Sequence, residues 1–560
     1  MRTFHRSLIC SLLAICTITL PLRAQITIDG TFDDWDSVPA LNDILNDGQY
    51  FDFQKTKVTS DNRYVYFYFE SAQTFQLNSE YGVKLYVDVD NNASTGASTR
   101  GLGADLIWSF ADRSGTMNGA TVQHADQKMF PAPTVTSNRF EIAFDRTELP
   151  GLGDTLRFYW SSLFDGDDFM PNTYHLIFEV QNTAHYYPPI SLDRDPNTDL
   201  RVMTFNVLFD GVTDPNQQPA IARMIQAVNP DIITFNELWD TEAYEVTNFL
   251  NSFLPNGSMG WNAVKLFPGN VTASRYPIAQ SLSLDTAARM LITEIDVPSS
   301  MGANILVANL HLKCCDADLI RQDQVDRLAS FYRDYQTQGG MIDMPVNTPL
   351  VVMGDMNLVG DRQQLETILT GDIIDEALYG VDFAPEWDGS PLTDALALHS
   401  HRRSSYTWPG TTSSFYPGRL DFVFYSDYVL EKEKAFVLDP SAMTNAQLQQ
   451  YQLYANDAQT ASDHLPVIVD FRYRDNIGLK EEKPTKFKVY PNPTEDTFIV
   501  SSESMIIESL ELQSLNGQGV KGMKLSDSSY VVELDVSDVT PGNYVIVVNN
   551  KYASQVVISP

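Results

Sequence analysis

The feature that most restricts the fold is a change of hydrophobic period near Leu200. Before it, apolar residues alternate with polar ones and no helix-period segment of useful length occurs. Residues 63–69 and 83–89 are dense in aromatic and β-branched side chains, which suit a pleated, half-buried surface. Clusters such as Asp90-Asn91-Asn92 separate these runs, as turn formers do. After it, strand-like runs take turns with helical ones. Residues 201–208 and 231–235 read as strands, and between them 219–228 puts Ala220, Ile221, Met224, Ile225 and Val228 on one face. Further strands are expected at 305–312, 350–353, 420–425 and 467–471, with a helical stretch over 320–332. The expectation is an all-β sandwich followed by a layered α/β sandwich.

At 560 residues the chain exceeds what one core serves, and about three domains are expected. Residues 1–24 read as a secretion signal: Arg2 and Arg6, an apolar run over 8–20, then Leu22-Arg23-Ala24 before a cut ahead of Gln25. That run is too short for a comfortable membrane span. The β-sandwich is expected over 26–187, a Pro-containing linker over 188–198 and the α/β domain over 199–473. A charged linker follows at 474–486, and a small all-β sandwich at 487–560. Cys10 and Cys16 leave with the signal, so Cys314 and Cys315 remain. They are expected as two buried free thiols, with a strained vicinal disulfide as the alternative, and not as part of a disulfide framework.

Within 199–473, chemistry-bearing side chains stand where apolar runs end. Asn206, Glu237 and His311 each close a strand-like run, and Asp355 and Asn357 close another. Asp421 opens one, and Asp463-His464 precedes the last. Any one of these alone is an ordinary polar strand end. Six such places in one domain, nearly all of types that bind hard cations or move protons, point to metal-assisted cleavage of a phosphoester. That reaction needs the non-bridging oxygens neutralised, a water deprotonated and the leaving oxygen stabilised.

The order of these motifs, with Gly354-Asp355-Met356-Asn357 and Ser462-Asp463-His464 the most specific, resembles the endonuclease/exonuclease/phosphatase superfamily. Nucleases of the DNase I type, apurinic endonucleases, neutral sphingomyelinases and inositol-polyphosphate phosphatases belong to it. The resemblance implies a four-layer α/β sandwich and a hydrolase that uses Mg2+, with Mn2+ as a substitute. It implies Asn206, Glu237 and Asp463 around the metal, Asp355 on the attacking water and Asn357 orienting water or phosphate. It further implies His464 facing the phosphate, Asp421 holding that imidazole protonated and in one tautomer, and His311 touching phosphate or assisting the leaving group.

Two other resemblances flank this one. Residues 28–35 (Ile-Asp-Gly-Thr-Phe-Asp-Asp-Trp), the Asp88-to-Asn92 turn, Thr95-Gly96 and Gly103-Ala104-Asp105 resemble family-nine-like carbohydrate-binding domains, which implies a carbohydrate partner or a purely structural accessory role. Asp88, Asp90 and Asn92 place three oxygen donors at alternate positions, a set that suits Ca2+ as well as an ordinary turn. Val489-Tyr490-Pro491-Asn492-Pro493-Thr494 and Gly542-Asn543-Tyr544 resemble the C-terminal sorting domain of type IX secretion cargo. That implies passage through the type IX machinery to the cell surface or beyond.

The substrate is less legible. The net charge is −34, and between Arg201 and Arg472 there are 16 Lys and Arg against 34 Asp and Glu, which argues against a broad basic nucleic-acid track. Arg402 and Arg403, beside His399 and His401, form the one basic knot, and Trp408 follows. These, with Arg321 and Lys313 near His311, are the candidate substrate contacts. Trp408 either stacks on substrate or packs under its own loop. A nuclease or broad phosphodiesterase is expected. The alternatives are a sphingomyelinase-like enzyme on phospholipid, an inositol or sugar phosphate phosphatase, and, in another class, a catalytically inert surface binding protein.

Overall fold

The computed structural model describes residues 25–474 and 487–559, apart from 80, 164–165, 285–288, 299–300, 302, 495, 503–505, 515–517 and 550–551. The expected signal at 1–24 and residues 475–486 of the second expected linker lie outside the described residues. The chain divides into two compact units, at Asp475/Asn476.

The first unit opens with a β-sandwich. One sheet runs in the order Ala40–Asn42, Phe53–Ser60, Tyr64–Phe75, Ser137–Asp145, Phe130–Ala132. The other is built around Thr155–Ser161, Lys84–Asp88 and Leu106–Ser109. The alternation seen in the sequence packs Phe67, Phe69, Phe140, Phe158 and Trp160 between them. Buried Glu141 accepts from Trp35 Nε1 and from the amides of Asp29 and Gly30, each at 2.8 Å. The 28–35 motif therefore serves as an anchor for the chain entering the sandwich.

The α/β part stacks two further sheets. A seven-stranded sheet has Ile232–Leu238, Leu200–Asn206 and Val467–Tyr473 at its centre. A six-stranded sheet has Ile305–His311, Leu350–Asp355 and Asp421–Tyr425 at its centre. In each, the first two of those strands run parallel and the third antiparallel. Helix Gln218–Val228 buries the five residues its spacing marked, Ala220, Ile221, Met224, Ile225 and Val228. Helix Asp318–Gln336, longer than its sequence pattern, packs Val325, Leu328 and Tyr332 against Leu306, Leu310 and Val352 of the six-stranded sheet. Among the described residues no helix is long and apolar enough to cross a membrane.

The β-sandwich and the α/β layers share cores. Val135, from the sandwich, lies in the apolar cluster of the six-stranded sheet and its helices, and Tyr416 packs on the sandwich cluster. Trp108 Nε1 donates to the Tyr416 hydroxyl at 3.2 Å, which donates to the Phe110 carbonyl at 3.1 Å. Thr136 N–H reaches the Gly360 carbonyl at 2.9 Å. Residues 188–198 lie along the α/β layers, with Leu192 buried and the Ile190 amide on the Ser400 carbonyl at 2.8 Å.

The second unit is a small sandwich. Lys488–Tyr490, Thr497–Ser501 and Val531–Asp535 face Ile507–Ser514, Gly519–Ser529, Gly542–Val548 and Tyr552–Ile558 across a core that includes Phe498, Leu512, Leu534 and Ile546.

Arg201 is fully buried in the first unit. It donates to both oxygens of Asp470, at 2.5 and 2.7 Å, and to the carbonyls of Leu192 and Val228. Removing one partner of such a pair leaves a bare buried charge, at about 3–5 kcal/mol. Arg201→Met is expected to lower the denaturant midpoint by that scale, and Arg201→Met/Asp470→Leu to recover part of the loss. A double variant no more stable than the single one would show that the charge pair is not the cause.

Candidate active site

Strand register alone sets three of the expected residues in one row. His311 pairs with Asp355, and Asp355 with Asp421, across three adjacent strands of the six-stranded sheet. In the facing sheet Asn206 pairs with Asn236, the neighbour of Glu237. The two strand ends meet through Asn206, whose Nδ2 donates to Asp355 Oδ2 at 3.0 Å and to Glu237 Oε1 at 3.1 Å.

Glu237 is aimed by an unusual backbone. Its φ is +64°, at an irregularity between Phe235 and Leu238 in the pairing with Gly269–Ser274. Leu208, Phe209 and Asp210 also have positive φ. Residues other than glycine held in this region cost on the order of 1–3 kcal/mol each and mark places where the fold sustains strain. The Phe209 amide donates to Glu237 Oε2 at 3.3 Å, and Asp210 accepts from the Thr241 amide at 2.7 Å, which ties the two loops together.

A set of buried asparagines, none singled out from the sequence, holds the sheets in place. Asn236 Oδ1 accepts from the Asp355 amide at 3.0 Å, and its Nδ2 donates to Asn309 Oδ1 at 2.9 Å. Asn309 Nδ2 donates to the Val271 carbonyl at 3.1 Å, and Asn270 Nδ2 to the carbonyls of Asn309 and Arg289, each at 2.9 Å. All three asparagines are fully buried. The signal that would have found them is an amide inside an otherwise apolar strand, which must be satisfied once buried.

Asp355 Oδ2 is the convergence point. It lies 3.7 Å from His311 Nε2 and 3.8 Å from His464 Nε2. Asp421 Oδ2 meets His464 Nδ1 at 2.8 Å, and the Asp421 amide is fixed on Thr407 Oγ1 at 2.9 Å. Ser462 Oγ donates to the Asn206 carbonyl at 2.8 Å and accepts from the His464 amide at 3.0 Å. Asn357, at φ +48°, donates its amide to Asp355 Oδ1 at 3.1 Å and its Nδ2 to the Leu312 carbonyl at 3.2 Å.

The two imidazoles are held in opposite states. Burial pushes the His464 imidazolium down, but the Asp421 and Asp355 carboxylates outweigh it and raise it to about 10. Burial, then the charges of Arg289, His464 and Lys313, lower His311 to about 3, so this ring is neutral. Burial raises Asp355 to about 7, against the pull of His464 and with the push of Asp421 and Glu237.

Not every expected residue joins the cluster. Exposed Asp463 accepts from Trp408 Nε1 at 3.1 Å, and it is absent from the two groups of converging donors, Glu237–His311–Asp355 and Asp355–Asp421–His464. Asp463 and His464 lie at a bend ahead of Val467–Tyr473, where His464 is buried in the cluster and Asp463 is exposed. Arg321 is buried and spent on the carbonyls of Lys313 and Cys315, on Asp318 and on Gln364. Arg402 is held by Asp439 and Tyr406, and Arg403 by Gln25 and the Tyr186 carbonyl. These three guanidiniums are therefore structural, because an acidic chain offers each a nearby acceptor. The thiols of Cys314 and Cys315 are free, as expected, but neither is buried: Cys314 is half-buried and Cys315 exposed. In the sandwich, Asp88 and Asp90 converge with Asp105, while Asn92 Oδ1 caps the Ser94 amide at 3.1 Å. Asp88 Oδ2 is buried without a partner there, an oxygen-only set of the kind hard cations take.

Glu237, Asp355 and His311 each offer a ligand atom within 4.8 Å of the others, with the Asn206 amide between the carboxylates. Few protein oxygens suffice for an ion that keeps several waters, so this donor set suits a divalent cation.

Residues 203–464 match the Endonuclease/Exonuclease/phosphatase family, and residues 488–558 the Secretion system C-terminal sorting domain. The α/β part of this chain is a domain of that family of phosphoester hydrolases, and the second unit is a sorting domain that sends the chain through type IX secretion to the cell surface or outside. No curated protein matches the chain. Among solved structures, the human Nocturnin catalytic domain with bound sulfate is 18% identical over 50% of this chain and 97% of its own, with a TM-score of 0.32. An endonuclease/exonuclease/phosphatase family protein from Leptotrichia buccalis is 15% identical over 49% and 99%, also at 0.32. Staphylococcus aureus beta toxin is 17% identical over 48% and 99%, at 0.28.

Because the folded value of His464 lies above the unfolded one near 6.5, its imidazolium contributes stability that is fully present below about pH 6.5 and lost as pH rises through about 10. In nitrogen-15 NMR of histidine-labelled protein, His464 is expected to stay protonated at pH 8 and His311 to stay neutral at pH 5. Asp421→Asn is expected to bring the His464 titration below pH 8. A wild-type His464 that titrates near 6.5 would remove the assigned role of Asp421.

Proposed function

We propose that this chain is an exported, divalent-metal-dependent phosphodiesterase, with nucleic acid or nucleotides as its substrate class. The observation that carries the reading is the meeting of Asn206, His311 and His464 on one oxygen of Asp355, with Asp421 behind His464. Neither imidazole Nε2 reaches Asp355 within hydrogen-bonding distance, so both ring nitrogens remain available to a phosphate or water oxygen at the cluster.

Each side chain then has a distinct task. Asp355, poised near neutrality by burial, accepts a proton from the attacking water. Asp421 fixes His464 Nδ1–H, leaving the Nε2–H of a cationic ring toward the phosphate, where it stabilises charge on the non-bridging oxygens. His311 is neutral and contributes a hydrogen bond to phosphate or leaving oxygen rather than a charge. Asn357 is locked by Asp355 and the Leu312 carbonyl, and orients the water or phosphate beside them. Glu237 and Asn206 would hold the cation, which supplies further neutralisation of the phosphate when bound. Mg2+ suits these oxygens, and Mn2+ would substitute. Asp463, turned to Trp408, is assigned to the cleft lip.

Wild type is expected to hydrolyse bis-p-nitrophenyl phosphate in a chelator-sensitive manner restored by Mg2+. Asp355→Asn and His464→Ala should each lower kcat/KM by about 100-fold or more. A wild type inactive with Mg2+, Mn2+ and Ca2+ on that ester, plasmid DNA, RNA, sphingomyelin and inositol phosphates would instead favour an inert surface binding protein.

A further inference from the structure

The cations of the α/β part are almost all spoken for. Of the 16 Lys and Arg between Arg201 and Arg472, 14 set their charged group on a carboxylate, a carbonyl or a polar side chain. Among the described residues the remaining two, Arg289 and Lys313, have no such partner, and both flank His311. The Arg289 carbonyl accepts from the His311 amide at 3.1 Å, and its guanidinium stands over the Trp239 ring, 5.2 Å from the centroid. That ring is 5.8 Å from the His311 ring. Lys313 follows two residues after His311 and is placed by its backbone. Its amide donates to Gln324 Oε1 at 2.9 Å and its carbonyl accepts from buried Arg321 Nη1 at 2.8 Å. Both side chains are half-buried, neither sealed away nor extended into bulk water.

Chance is a poor account of this pair. Acidic groups outnumber basic ones 34 to 16 in this stretch, and a cation in such a field finds a carboxylate unless its place excludes one. The scissile phosphate already has His464, balanced by Asp421. A phosphodiester group carries a single negative charge, so two additional cations beside His311 exceed what that group needs. Their types are complementary: a guanidinium is a planar fork that matches phosphate oxygens, and an ammonium is a compact point charge beside it.

We infer that Arg289 and Lys313 form a subsite for a second phosphate, adjacent to the scissile one on the His311 side, so that the preferred substrate is an oligonucleotide-like phosphodiester rather than an isolated one. The inference rests on the phosphodiesterase reading of the same cleft, but its recognition step is separable from turnover. A zwitterionic choline phospholipid, whose only phosphate is the scissile one, would leave both cations unmatched. Arg321, which sequence placed among the substrate contacts, acts one step back by shaping the backbone that carries Lys313.

The probes are thymidylyl-thymidine and the same dinucleotide with a 5′- or a 3′-terminal phosphate. Binding is read by calorimetry on the full chain bearing Asp355→Asn, and kcat/KM on the full chain with native Asp355. One of the two terminally phosphorylated forms is expected to bind about tenfold tighter than the unphosphorylated dinucleotide, and to be cleaved with a matching preference. Arg289→Gln/Lys313→Gln should bring both ratios to within about twofold of unity, while Arg289→Lys retains part of the preference. A fluorescence melt checks that the double variant is folded. Equal binding of all three dinucleotides, or a preference that survives the double substitution, overturns the subsite. A terminal-phosphate preference in binding without hydrolysis of any ester supports the subsite and sinks the enzyme reading, so the two claims fail separately.

Discussion

The site depends on a few buried amides more than on any ionic contact. Asn236, Asn309 and Asn270 span the gap between the two sheets, and the side-chain N–H groups of each are held by backbone or by another amide, although Asn270 Oδ1 is buried without a partner. An unpaired buried amide costs about 1–3 kcal/mol, so relative sliding of the sheets is opposed at every link. Through these bonds the Asp355 amide, the Arg289 carbonyl and the strand carrying His311 are fixed to one another. The strained backbone at Glu237 persists against such a frame, because the neighbouring strands have no slack to absorb its relaxation.

Two imidazoles approach the same carboxylate oxygen at nearly the same distance, 3.7 and 3.8 Å, yet carry different charge. Proximity to Asp355 therefore does not decide their state. Their other neighbours do: Asp421 behind His464, and Arg289 with Lys313 around His311. The arrangement gives the cleft a charged donor on one side and a neutral one on the other without any difference in residue type. In a chain of net charge −34 this contrast is local, produced by burial that shields the cluster from the acidic surface around it.

Much of this was readable in the sequence where periodicity spoke. Strand ends located Asn206, Glu237, His311, Asp355 and Asp421, since register turns an end-of-strand position into a place in a row. What periodicity does not carry is the direction of a side chain beyond the strand, and Asp463 shows it, adjacent to His464 yet facing Trp408. Nor does it say which charges are already paired. Arg402 and Arg403 look like a basic knot in one dimension and are spent on Asp439 and Tyr186 in three. Arg289, isolated in the sequence and unremarkable there, is left over together with Lys313. The asparagine links were silent because an amide in a strand announces nothing until both sheets are placed.

Val135 carries a last consequence. The sequence reads as modules on a string, with a Pro-containing spacer between sandwich and α/β part, but Val135 sits among the apolar side chains under the six-stranded sheet. Tyr416 returns the insertion in the other direction. Cutting the chain after Tyr187 would thus yield a nicked protein rather than two freed domains, and shuffling the α/β part alone into another architecture would carry a hole into its core. The two parts are bound to a common evolutionary fate, with substitutions in the sandwich answerable to a cleft they never touch.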